Sequence, residues 1–224
     1  MIIELAGPPG AGKSSLVPEL LRHLDAWNPR HVDITDRIPT SRFSLRRKRL
    51  YAAATNPALA LSIIRMVGPG RAAARRATAV ATHDLELRRL RRGSGAVLVD
   101  EGPVHTLLWS LALLGYMGAR WPDSRWLTTG SIIVYVRIAP EVAVAREADG
   151  SDSVLAGVNR IEGLALVQRY DRLALALLPR LDSEVVVIDG SDAPSTGQLD
   201  RLAAAVASPP APSPTPRARR PTGH

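Results

Sequence analysis

The chain has 224 residues, 46% of them hydrophobic and 22% charged, with a formal net charge of +8 and no cysteine. That size and balance fit one soluble globular domain with a sizeable core, and the missing cysteine excludes disulfides and thiolate metal sites. The positive charge does not point to a specific nucleic-acid site. Arg217, Arg219 and Arg220 sit in the C-terminal tail, the other cations are scattered, and the chain has only one Phe, four Tyr and four Trp. A general basic surface is the expectation.

Ile2-Ile3-Glu4-Leu5-Ala6 is a short apolar run that predicts the first strand. Met1 leads straight into it with no basic segment ahead, so no signal peptide and a cytoplasmic location are expected. Gly7-Pro8-Pro9-Gly10-Ala11-Gly12-Lys13-Ser14 follows, with Ser15 next, and spells G-x-x-x-x-G-K-S/T, the Walker A pattern. In that pattern the glycines let backbone N–H groups turn inward around a phosphate. A helix beginning at Lys13 adds the positive end of its dipole. Lys13 is expected at the β- and γ-phosphates and the Ser14 hydroxyl on Mg²⁺. Residues Gly7 through Ser15 are therefore the expected ATP-binding segment. Composition agrees: 27 of the 29 basic residues are arginine, and Lys13 is one of only two lysines, the other being Lys48. A lysine kept in an arginine-writing chain suggests a role for a compact ammonium.

The first helix is predicted from Lys13 to about Ala26, stopped by Asn28-Pro29. His31–Thr35 alternates and predicts strand two. From Pro39 to Arg92 the pattern is helical, broken at Asn56-Pro57 and at Gly68-Pro69-Gly70. Ala96-Val97-Leu98-Val99-Asp100 reads as a buried parallel strand. An apolar helix starts at Pro103 and runs to about Ala119, too short to span a bilayer, so a core helix is expected. Ser131–Val136 is strand four, Pro140 opens a helix through about Arg146, and residues 148–157 read as a polar loop. A long helix to Leu178, strand five at Val185–Ile188 and a helix near Thr196–Val206 complete the domain. Alternating strands and helices predict an α/β fold, a parallel five-stranded sheet with helices on both faces as a three-layer sandwich, over residues 1–207. Residues 208–224 hold six prolines and three arginines with almost no apolar side chain. That composition predicts a disordered tail.

Ala96 to Glu101 has the form of a Walker B strand. Asp100 at its end is the expected metal-shell carboxylate, and Glu101, which begins the turn, the expected base. On the segment between strands two and three, Arg42, Arg46 and Arg49 share a helix face and are candidates to clamp an acceptor phosphate, a solvated face being the alternative. Asp33 and Asp36, at the end of strand two, are candidates to orient an acceptor hydroxyl, or simply to shape a turn. The five histidines show no metal-ligand spacing, and His105, four residues after Glu101, is expected on a helix surface unless it lines the site. No Asn-Lys-x-Asp guanine motif is present, which disfavours a regulatory GTPase.

Taken together, Gly7–Ser15, the Asp100 strand end and Val136-Arg137-Ile138-Ala139-Pro140-Glu141-Val142-Ala143-Val144-Ala145-Arg146 resemble the thymidylate kinase-like branch of the P-loop nucleoside and nucleotide kinases. The Gln168-Arg169-Tyr170 helix and the closing Val187-Ile188-Asp189-Gly190 strand are also similar. The resemblance implies a Mg²⁺-dependent kinase that moves the ATP γ-phosphoryl group to a small acceptor, a nucleoside or nucleoside monophosphate. It implies that the segment after Arg146 is a mobile lid, with Arg146 aimed at the transferring group. Two departures stand out. Glu101-Gly102-Pro103 occupy the place where the family usually has an arginine after the aspartate, and residues 147–159 contain no arginine where its lid usually has several. The expected catalytic residues are thus Lys13, Asp100, Glu101 and Arg146, with Ser14 and Asp100 at the metal. The expected partners are ATP and a small-molecule acceptor, without a specific nucleic acid or a membrane span, and homodimerisation is left open. An ATP-hydrolysing switch built on Asp100-Glu101 and a non-catalytic nucleotide-binding module are the alternative readings.

Overall fold

The computed structural model describes residues 1–38, 41–118, 120–123, 126–148, 155, 158–192 and 194–208. Its strands are β1 (Ile2–Ala6), β2 (Arg30–Asp33), β3 (Val97–Asp100), β4 (Ile132–Arg137) and β5 (Glu184–Asp189). All are parallel and lie in the order β2-β3-β1-β4-β5. Parallel neighbours need crossovers, and the helices supply them: α1 (Lys13–His23), α2 (Arg42–Thr55), α3 (Pro57–Val67), α4 (Arg71–Arg91), α5 (Pro103–Leu113), α6 (Pro140–Ala148), α7 (Arg160–Leu177) and α8 (Thr196–Ala207). Alternation along β1 and β4 makes two buried sheet faces. On one, Ile3 and Leu5 pack with Leu16 and Leu20 of α1 and Leu199 and Leu202 of α8. On the other, Ala6, Ile133 and Tyr135 meet Leu107 and Leu111 of α5 and Tyr170 and Leu173 of α7. The expected three-layer α/β sandwich with helices on both faces is the observed architecture.

Several boundaries move for local reasons. The apolar helix α5 stops at Leu113, short of Ala119. Gly115 takes φ 69° there, and its N–H and that of Tyr116 reach back to the carbonyls of Ala112 and Leu111. That is a Schellman ending, which the apolar pattern hides because Tyr116 still packs inward. Helix α1 ends at His23, and residues 25–27 form a 3₁₀ turn closed by a left-handed Asn28. Strand β2 ends at Asp33, whose Oδ1 accepts both the N–H and the hydroxyl of Thr35 at 2.7 Å and bends the chain away from the sheet. Asn56 separates α2 from α3. Its Oδ1 accepts the Leu59 N–H, and its Nδ2 donates to Asp84 at 3.0 Å and to the Trp126 carbonyl at 2.7 Å. Among the described residues no single helix is long and apolar enough to cross a membrane; α2 and α3 qualify only together, and they are bent by 97°. Residues 209–224 of the expected tail lie outside the described residues.

One residue of the first strand breaks its apolar pattern. Glu4 is fully buried on the α5 side of the sheet. Its Oε1 accepts the Val104 N–H at 2.7 Å and its Oε2 the Gly130 N–H at 3.1 Å. Two backbone donors and the α5 N-terminus favour the carboxylate, but burial outweighs them and pushes its pKa from 4.5 to about 7. Folding therefore takes up a proton between those values. The contribution of Glu4 to stability is fully present below about pH 4.5 and is lost as the pH rises through about 7, on the order of 3 kcal/mol in all. Thermal denaturation from pH 4.5 to 8 is expected to show Glu4→Gln gaining on the wild type as the pH rises. Parallel pH profiles for the two proteins would refute this titration.

Candidate active site

The loop between β1 and α1 wraps tightly because its neighbours leave no room for side chains. Gly10 has φ 75°, and a Cβ there would stand 2.2 Å from the Ala143 carbonyl oxygen of α6. The loop is closed by Ala11 N–H to the Pro8 carbonyl at 3.2 Å, and the first α1 bond runs from the Leu16 N–H to Gly12. Among the described residues, the N–H groups of Gly10, Gly12, Lys13, Ser14 and Ser15 meet no protein acceptor. A phosphate seated over the loop satisfies such donors and meets the positive end of α1. Lys13 is buried, and its Nζ donates to the carbonyls of Gly7 at 3.0 Å and Pro8 at 3.2 Å. Two of its three ammonium protons are thereby used inside the loop. Burial lowers its pKa, against the opposing charges of Glu101, Asp100 and Glu147.

Asp100 ends β3 beside that loop because β3 pairs directly with β1. On its other side, Asp33 of β2 is its register partner. Burial raises the Asp100 pKa, Lys13 opposes, and Asp33 adds to the rise. Glu101 is held at φ 53°, a left-handed conformation that costs a side-chain-bearing residue ~1–2 kcal/mol. Its N–H bonds the Asp100 Oδ1 at 3.0 Å, and its carbonyl accepts from Nδ1 of the buried His83 on α4 at 2.8 Å. Gly102 then passes so close to Glu4 that an added Cβ would lie 2.3 Å from Oε1. These contacts over-determine the strained turn and leave the Glu101 side chain 39% exposed in the cleft. Burial raises its pKa, with Lys13 opposing.

Two clefts meet at the loop. The first, about 470 Å³, runs between α1 and the segment after β5 and is lined by Gly12, Ser15, Arg146, Gly190 and Asp192. The second, about 380 Å³, is lined by Lys13, Ser14, Glu101, His105, Trp109 and Glu147. Arg146 borders both, and its guanidinium donates to the carbonyls of Gly190 at 2.6 Å and Ser191 at 2.7 Å. His105 is buried and lines the site instead of a helix surface. The loop after α6 falls mostly outside the described residues, which include only Leu155, Val158 and Asn159 beyond Ala148.

The acceptor-side candidates are less gathered. Asp33 sits at the carboxyl edge next to Asp100, while Asp36 and Arg46 are exposed. Arg42 opens α2, and its side chain lies outside the described residues. Arg49, by contrast, is partly buried and faces Arg75 and Arg76 of α4. Desolvation and mutual repulsion lower the pKa of Arg49 and Arg76. Among the described residues none of the three has a carboxylate partner. Burial lowers the pKa of His83, with Arg49 adding to the fall, and its Nδ1 lies against both the Glu101 carbonyl and the Thr106 hydroxyl.

No three His, Asp or Glu side chains gather as a metal cage among the described residues. Mg²⁺ shared between a nucleotide, a hydroxyl and one carboxylate needs none, since it keeps several waters and leans on substrate phosphates. Exposed Ser14 and buried Asp100 fit that mode.

No protein-family model matches the chain, and no curated protein does either. Solved structures do match. A deoxyadenosine kinase from M. mycoides with bound dATP aligns at TM-score 0.55 and 13% identity, over 93% of this chain and 100% of the other. The same kinase with dCMP and a flexible dCDP aligns at 0.55 and 14%, over 92% and 99%. A shikimate kinase from Bacteroides thetaiotaomicron aligns at 0.51 and 13%, over 93% and 99%. The fold is similar to that of these kinases. At such identities the likeness is one of fold.

In this fold the cradle around Lys13 has room for a point charge that bonds carbonyls from one atom, and a planar guanidinium cannot do that. If the loop serves ATP turnover, as its sequence predicts, Lys13→Ala is expected to abolish it and Lys13→Arg to fail nearly as badly, with both proteins folded. An arginine variant with full ADP production would overturn this account of the loop.

Proposed function

We propose that the protein is an ATP-dependent, Mg²⁺-dependent phosphotransferase acting on a small acceptor, a nucleoside or nucleoside monophosphate. The observation that carries this reading is the convergence of Lys13, Asp100 and Glu101 around one loop of unpaired N–H donors. In this reading the loop from Gly7 to Ser15 holds the triphosphate, and Ser14 and Asp100 hold Mg²⁺, which neutralises phosphate charge. Arg146 borders both clefts. Glu101 accepts the proton of the acceptor hydroxyl as its oxygen bonds the γ-phosphorus. The bond from that phosphorus to the β-phosphate oxygen breaks, and ADP leaves. The raised pKa makes Glu101 a better base than a solvated carboxylate. The thymidylate kinase-like segment Pro140–Arg146 supports a nucleotide-type acceptor. Unpaired Arg49, Arg75 and Arg76 support one that carries a phosphate.

ADP release across nucleosides, nucleoside monophosphates, sugars and no acceptor tests the reading. Acceptor-stimulated turnover upholds it, whereas turnover indifferent to acceptor points to the ATPase. Glu101→Gln is expected to keep MgATP affinity and slow transfer ~10²–10⁴-fold, the effect of a lost general base. Asp100→Asn is expected to weaken the Mg²⁺ dependence instead. If Glu101→Gln turns over normally and Asp100→Asn is dead with intact nucleotide binding, the roles are reversed.

The arginine cluster has its own test. Arg49→Ala and Arg76→Ala are each expected to raise KM for a nucleoside monophosphate ~10-fold or more, the cost of a charge-assisted bond, and to leave ATP affinity unchanged. Unchanged KM in both variants would remove the phosphate-bearing acceptor from the proposal.

A further inference from the structure

A buried chain of hydrogen-bonding groups joins the phosphate loop to Glu101. The Gly7 N–H donates to the Tyr170 hydroxyl oxygen at 3.1 Å. That oxygen lies 3.0 Å from His105 Nδ1, and His105 Nε2 lies 3.7 Å from the Glu101 Oε1. Tyr170 is fully buried, His105 nearly so, and their rings are 5.7 Å apart. The proton positions follow from donor and acceptor chemistry. A backbone N–H can only donate, so the Tyr170 oxygen accepts from Gly7 and must place its own proton elsewhere. Among the described residues the one acceptor in reach is His105 Nδ1. Nδ1 is then unprotonated, and neutral His105 carries its proton on Nε2, the nitrogen nearest the Glu101 carboxylate. Burial and the nearby Lys13 and His83 keep the imidazole neutral, with its pKa well below the usual range against an opposing bond to the Gly7 backbone, and burial holds the Tyr170 phenol protonated. The distance of 3.7 Å is longer than a hydrogen bond; catalytic contacts often tighten to bonding distance only once substrate is bound.

We propose that His105 is a positioning residue for Glu101, its tautomer set by a Tyr170 hydroxyl that is itself anchored on the Gly7 N–H of the phosphate loop. The proposal rests on Glu101 as the base of the transfer step. His83 holds the backbone of that residue, and His105 aims its carboxylate, so the strained turn is gripped at both ends. The arrangement makes the orientation of the base depend on the loop that receives the phosphates.

The test has a spectroscopic arm and a kinetic arm. Long-range ¹H–¹⁵N spectra of the histidines at neutral pH are expected to show His105 as the neutral Nε2–H tautomer, and Tyr170→Phe is expected to release it to a mixture. An Nδ1–H tautomer in the wild type, or no change in Tyr170→Phe, overturns the proposal, whatever Glu101 does. For the kinetics, single-turnover ADP formation from MgATP with water as acceptor serves as the probe. His105→Leu is expected to slow it at least ~10-fold at unchanged ATP affinity, and His105→Gln, which keeps a donor near the Nε2 position, to recover most of the rate. In a Glu101→Gln background His105→Leu is expected to cost nothing more. An equal loss in both backgrounds marks a structural role and refutes the proposal, as does a slow Glu101→Gln beside a normal His105→Leu. A normal Glu101→Gln instead refutes the base assignment itself. Should His105→Leu fail to fold, Tyr170→Phe and His105→Gln carry the same comparison.

Discussion

The Glu4 carboxylate lies in the middle of the sheet, under the N-terminus of α5, and accepts backbone N–H groups from Val104 and Gly130 at the same time. Those two bonds tie β1 to the turn after β3 and to the approach of β4. The turn after β3 is the one that carries Asp100 and Glu101. Because Gly102 is pressed against the Glu4 side chain, the chain has one way to pass from β3 into α5, and that path leaves Glu101 in a left-handed conformation. A buried ionisable group is a costly way to hold a turn. Here burial outweighs both bonds, so the group is held near neutrality, and the anchor of the site is itself sensitive to pH in the ordinary cellular range.

The two lysines show what the rest of the chain does not need. Lys13 bonds the Gly7 and Pro8 carbonyls from one nitrogen. Lys48 donates to the Arg37 carbonyl at 2.5 Å and pairs with buried Glu86 at 3.0 Å. In both places the cation is largely withdrawn from solvent and its two acceptors, at least one of them a backbone carbonyl, converge on a point. An ammonium offers three donors around one atom, whereas a guanidinium spreads five over a plane. Arginine serves wherever the partner is planar or the surface is open, as at the Arg137–Asp171 pair. The composition therefore marks two points, one buried in the phosphate loop and one, partly buried, pinning α2 to the loop after β2 and to α4.

Polar groups inside the molecule are arranged as a few satisfied networks. Asn56, Asp84, Arg88 and Thr128 bind α3, α4 and the segment before β4, so the insertion that follows β2 is fixed to the chain that leads into β4. His83 and Thr106 share the Glu101–Gly102 carbonyls from two different helices. Among the described residues no buried side-chain polar atom lacks a partner. Such cores are specific at the cost of tolerance, because removing one member strands another.

The order of strands and helices, the phosphate loop, and the placing of Asp100 at a strand end were legible in the residues themselves. Each depends on local signals: apolar runs, a glycine-spaced loop, and proline and glycine punctuation. Boundaries set by local capping chemistry, such as Gly115 ending α5 and Asp33 bending β2, were less visible, since the apolar pattern continued past them. Glu4 sat unnoticed in an apolar run because its partners lie about 100 residues or more away in the chain. Gly7, His105 and Tyr170 share contacts across 65 and 163 residues, and nothing in their neighbourhoods advertises it. Arg46 and Arg49 belong to one predicted face, yet burial against α4 separates them, leaving one in solvent and the other among unpaired guanidiniums. The sequence by itself determined which segments fold as strands and helices and where the glycine-spaced loop joins β1 to α1, because those follow from backbone geometry and near neighbours. Which buried groups grip Glu101, which nitrogen of His105 faces it, and which arginines lack a counter-charge were decided only by tertiary packing, because desolvation and hydrogen bonding depend on what the fold brings within a few ångströms.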